Sequence, residues 1–101
     1  MSNPVTDFPW EKEYVAATGT VHTGPCHLHS IVLNGVTTAG GTISVYDALD
    51  ATDALTLIAV YNIVGASVSY QGITFLYDCK ITTGIHIAFA TVVGNLTVTY
   101  R

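Results

Sequence analysis

From residue 14 onward the chain alternates between apolar and polar positions with a period of two, broken every eight to twelve residues by turn-forming residues. Thr42-Ile43-Ser44-Val45-Tyr46-Asp47 alternates cleanly. Ile73, Phe75, Tyr77 and Cys79 share one face, with Thr74, Leu76, Asp78 and Lys80 on the other. Ile85, Ile87 and Phe89 repeat the pattern, as do Leu96, Val98 and Tyr100. Further strands are predicted over Tyr14 to Val21, Cys26 to Leu33 and Ser67 to Tyr70. The continuous apolar run from Leu55 to Tyr61 is the pattern of a strand buried on both faces. Gly24-Pro25, Asn34-Gly35, Ala39-Gly40-Gly41, Gln71-Gly72, Thr83-Gly84 and Gly94-Asn95 supply the breaks. Seven to eight strands in this length predict an all-β fold of two packed antiparallel sheets, jelly-roll-like, with an Ig-like sandwich as runner-up.

Residues 1 to 13 lack this period and are expected to form an N-terminal arm, leaving 14–101 as a single sandwich domain. Phe8 and Trp10 in the arm are costly to leave in water. They either fold back on their own domain or anchor to a neighbouring subunit.

Composition changes the picture in one respect. Half of the 101 residues are hydrophobic and only 10% are charged, against a usual share of about 25%. So little charge favours a chain that hides surface in an oligomer or larger assembly. Lys12, Lys80 and Arg101 are the whole supply of strong cations in a chain of net charge −4, which argues against nucleic-acid binding. Thr, Ser and Gly interrupt every apolar segment before the roughly 18 residues of a membrane span. The first residues carry neither a basic nor an apolar signal region, so synthesis in the cytoplasm is expected. There Cys26 and Cys79 are expected to stay free thiols.

Candidate chemistry concentrates between Gly19 and Gly35, which holds His22, His27, His29 and Cys26. His27 and His29 are two apart, so in a strand both imidazoles project from one face. With His22 and His86 they would offer nitrogens for a zinc or nickel ion, in the manner of the first cupin motif. The carboxylate that cupins place a few residues on is missing here, where Ser-Ile-Val-Leu-Asn follows His29. The expectation is therefore no metal and no cofactor, with His27 and His29 joining Phe8 and Trp10 at a subunit interface. Cys26 and His27 face opposite sides of a strand and cannot pair as nucleophile and base. Asp47, Asp50 and Asp53 lack the alternate spacing and closing Glu of a calcium loop. Tyr14, Tyr46, Tyr61, Tyr70, Tyr77 and Tyr100 would suit glycan stacking if exposed, but strand alternation places most of them in packing positions.

The chain resembles small virion proteins of tailed bacteriophages, of the capsid decoration and head-fibre type. The resemblance runs through Gly19-Thr20-Val21-His22-Thr23-Gly24-Pro25, Leu28 to Asn34, Gly41 to Asp47, Phe75 to Asp78, Thr82 to Ile85 and Leu96 to Arg101. It covers most of the chain after residue 18 as a pattern, and carries no functional residue with it. It implies a structural protein without enzyme activity, symmetric and most often trimeric, bound to a major capsid or tail protein in the virion. A tail or fibre-tip module binding host polysaccharide is the alternative, and a cupin-like metal protein a more distant one.

Overall fold

The computed structural model describes residues 10–38, 40–52, 54–63 and 73–101. Eight strands follow one another as β1 (Glu11–Val15), β2 (Gly19–Thr23), β3 (Cys26–Thr38), β4 (Gly41–Asp47), β5 (Leu57–Ile63), β6 (Ile73–Ile81), β7 (Gly84–Ala90) and β8 (Val93–Tyr100). A single 3-10 turn, Ala54–Thr56, precedes β5. The strands form two four-stranded sheets, β1-β8-β3-β6 and β2-β7-β4-β5, with every pairing antiparallel. Only β4 and β5 are neighbours both in sequence and in a sheet; every other connection crosses from one sheet to the other. That order is the jelly roll, and it sets the Ig-like alternative aside, where hairpin neighbours dominate.

Alternation builds the core. Leu28, Ile31, Leu33, Leu96 and Val98 from one sheet meet Ile43, Val45, Ile85 and Ile87 from the other, all of them almost fully buried. Each such side chain contributes about 1.5–3 kcal/mol by leaving water. Gly41 is held to glycine by the close approach of β7 in the same sheet, since a Cβ there would lie 1.8 Å from the carbonyl oxygen of Ala90.

Several expectations change. The strand at the N-terminal end starts at Glu11, inside the segment expected to be an arm, because its backbone pairs with β8 from Glu11↔Tyr100 to Val15↔Leu96. Tyr14 to Val21 is not one strand: the chain bends at Ala16–Thr18 and passes from one sheet to the other. Asn34-Gly35 does not turn the chain. β3 runs through it, with Asn34 donating from Nδ2 to Thr97 Oγ1 at 2.9 Å and the register shifting beside it. The run at Leu55 to Tyr61 is not buried on both faces, because β5 is an edge strand that leaves Leu57 and Val60 well exposed. The break at Gly24-Pro25 holds: Gly24 takes φ +104°, open to glycine, and donates its N–H to Thr83 O at 2.8 Å. The expected strand at Ser67 to Tyr70 and the turn at Gln71-Gly72 lie outside the described residues.

Candidate functional site

The candidate site lies on the outer face of β1-β8-β3-β6, where a fault in the strand register gathers Trp10, His27, His29, Asp78 and Arg101. Leu28 pairs with Cys79 and Ser30 with Leu76, so Tyr77 and Asp78 of β6 oppose His29 alone. Against β8 the same His29 is itself the extra residue, between Leu28↔Tyr100 and Ser30↔Thr99. Asp78 takes φ +46°, in the left-handed region that a non-glycine residue seldom enters.

The bulge brings the Asp78 carboxylate to both histidines. His29 Nδ1–H donates to Asp78 Oδ1 at 2.6 Å, and His27 Nε2 lies 3.4 Å from the same oxygen. Because an ionised carboxylate only accepts, the short contact fixes the proton of His29 on Nδ1. The hydrogen bond from His29 holds the Asp78 carboxyl below the ordinary aspartate range; desolvation opposes it, and the weaker hydrogen bond from His27 adds to the lowering.

Trp10 closes the other side. Its ring stacks on His29 at 4.2 Å between centroids and 19° between planes, and meets His27 at 6.0 Å. The Arg101 guanidinium lies 5.3 Å from the Trp10 ring centre. Arg101 is itself locked to β3, donating its N–H to His27 O at 3.0 Å while His27 N–H donates to Arg101 O at 2.8 Å. Trp10 thus packs on its own domain, as a staple that joins the start of β1 to β3 across the end of β8. It remains 36% exposed. Phe8 lies outside the described residues.

The four histidines do not converge. His22 packs its ring at 5.1 Å from Tyr100. His86 is buried on the opposite sheet beside Thr20 Oγ1, at 3.1 Å. The Thr20 hydroxyl gives its one proton to Leu49 O, so the His86 ring must donate from Nδ1. Among the described residues no group of three or more His, Cys, Asp or Glu is arranged to hold a metal ion. Cys26 and Cys79 are free and half-buried, and face the core side of β3 and β6. Burial, followed by the Asp47 charge, pushes both thiols above the ordinary cysteine value.

Asp47 has a structural task. Its carboxylate accepts N–H groups from Thr82, Thr83 and Gly84 at 2.8–3.3 Å, pinning the β6–β7 turn to the end of β4. Partial burial would raise its pKa, yet the three donors outweigh that and hold it below the usual range. Asp50 accepts from Thr52, and Asp53 lies outside the described residues. Of the five described tyrosines only Tyr14 is largely exposed. Tyr61 stacks on Phe75 and hydrogen-bonds Tyr77 hydroxyl to hydroxyl, and burial pushes the Tyr61 phenol far above its ordinary value. A hollow of about 170 Å³ at the β1–β2 corner is lined by residues from Glu13 to Val21, and is smaller than ordinary ligand pockets of roughly 300–1,000 Å³.

His27, His29 and Trp10 were recognisable in the sequence as residues with a shared setting. Asp78 and Arg101 were not, because nothing local announces a bulge between Tyr77 and Cys79. No family model, curated protein or solved structure matches the chain. No helix among the described residues is long and apolar enough to cross a membrane.

Proposed function

We propose that the chain is a non-enzymatic structural protein of a tailed-bacteriophage virion, a capsid decoration protein that works as a homo-oligomer. The observation that carries this reading is the Trp10 staple. Stacked on His29 and covered by Arg101, Trp10 fixes the point where the N-terminal segment joins a rigid jelly roll. Residues 1–9, with Phe8, are then the attachment segment to the major capsid protein, and the domain is the body displayed on the shell. The low charge of the chain and its likeness in pattern to small virion proteins support the same reading.

The staple also sharpens the test. Because β1 begins at Glu11 and Trp10 belongs to the packed domain, the informative truncation removes residues 1–9 only. The shortened chain should keep the melting temperature of the full chain but lose occupancy on purified capsids. Unchanged occupancy would overturn the role of the segment, and binding to tails but not to heads would overturn the capsid assignment.

A further inference from the structure

The chain holds three Lys and Arg residues against seven Asp and Glu, yet strand alternation sends all three cations to one face of one sheet. Lys12 lies opposite Thr99 and shares its outward phase, away from the buried Val15. Arg101 continues the outward phase of Thr97 and Thr99, and lies over the Trp10 ring. Lys80 is opposite His27 and alternates with the inward Cys79 and Ile81. Arg101, His27 and Lys80 therefore form one row across β8, β3 and β6. Asp78 is the one carboxylate among the described residues on this face, and two imidazoles already engage it.

The other described carboxylates lie elsewhere. Glu11 and Glu13 take the inward phase of the edge strand β1, where they remain exposed at the sheet rim and their charge reaches Tyr100. Asp47 ends β4 and is engaged by the β6–β7 turn, whereas Asp50 is exposed in the connection that follows, beside Leu49, which is 46% exposed. That connection lies on the side of the second sheet, since Leu49 O accepts from Thr20 of β2. It is also at the same end of the sandwich as the cation row, since Asp47 binds the turn directly after β6. The cations and the Asp50 carboxylate are thus displayed on opposite layers of one end, and each side carries exposed apolar area. Leu49 accompanies Asp50; Trp10 and Leu76, the latter 68% exposed, accompany the cations.

We propose that this cationic face docks residues 48–52, the start of the β4–β5 connection, of a second copy of the chain, head to tail. The contact pairs Lys12, Lys80 and Arg101 with Asp50, and sets Leu49 against the apolar area around Trp10 and Leu76. A head-to-tail contact uses two different patches, so it closes into a ring when the rotation between copies permits. Oppositely charged patches fix such a register and make it sensitive to salt. The inference does not lean on the virion reading, because it concerns the purified chain alone.

The experiment is sedimentation velocity of the full chain at about 50 mM and about 500 mM salt, with charge-reversed variants. Wild type should associate at low salt and weaken about tenfold at high salt. Lys12→Glu with Lys80→Glu should abolish association alone, as should Asp50→Lys, and an equimolar mixture of the two variants should restore it. Asp50→Asn controls for the hydrogen bonds to Thr52, and thermal melts confirm that each variant folds; with folded variants, loss in Asp50→Lys that exceeds loss in Asp50→Asn supports the contact. A monomeric wild type at low salt, a doubly reversed variant that associates like wild type, or a mixture that stays apart would each overturn the proposal. So would a chain that binds a polyglutamate peptide while never binding itself.

Discussion

The two sheets share a core but not a surface. Outward positions of β1-β8-β3-β6 carry Lys12, Lys80, Arg101, Asp78 and the His27–His29 pair. Outward positions of β2-β7-β4-β5 hold Thr20, Thr42, Tyr46, Val60, Asn62 and Ala88, with Ser44 and His86 buried among them and no Lys, Arg, Asp or Glu. Stability does not require this division, since both layers contribute alike to the buried cluster. One face has been given nearly all the chemistry the chain can display, and that face also holds the joint of the N-terminal segment.

The sharpest way to break the comparison is to cut where the sheets are equal. Ile87→Ala removes a fully buried side chain between the layers and should cost about 2–5 kcal/mol, read as a lower urea midpoint at constant slope. Asp47→Asn should come next. It weakens charge-assisted bonds to the β6–β7 turn and should cost about 1–3 kcal/mol at neutral pH. Since the folded Asp47 pKa lies below that of an unfolded aspartate, its stabilisation is full above the ordinary value near 3.9 and is lost as pH falls below it. Wild type should therefore lose stability below about pH 4 more steeply than the variant. Equal slopes would remove Asp47 from the account.

On the outer face the effects should shrink. Trp10→Ala removes one stacked ring and should cost about 0.5–1.5 kcal/mol. Lys12→Glu with Lys80→Glu should change stability by no more than about 0.5 kcal/mol per site, because exposed charges contribute little to folding. A large loss from that pair would mean that the cationic face is built for stability and not for contact.

How much of this was legible follows from what each feature depends on. The period of two in Thr42 to Asp47 and Leu96 to Tyr100 is a local property, and two packed sheets followed from it; the strand order that separates a jelly roll from an Ig-like sandwich is set by long-range pairing. Asn34-Gly35 misled because the pair favours a turn only when the flanking strands can pair with each other. Here β3 is held between β8 and β6 and cannot fold back on itself. β5 misled because burial at an edge depends on what lies beyond it. His27 and His29 were legible as a pair through their spacing. Their contact with Asp78 was not, since it depends on a one-residue bulge linking positions 49 and 51 residues apart.

The single tryptophan of the chain reports directly on the staple. Trp10 lies between His29 and Arg101 on the outer sheet face. Acrylamide quenching of its fluorescence should be restrained in wild type and rise in His29→Ala, with the far-ultraviolet spectrum unchanged and the melting temperature only slightly lower. Quenching that is equally free in both proteins would contradict the staple, and with it the fixed joint on which the proposed attachment depends.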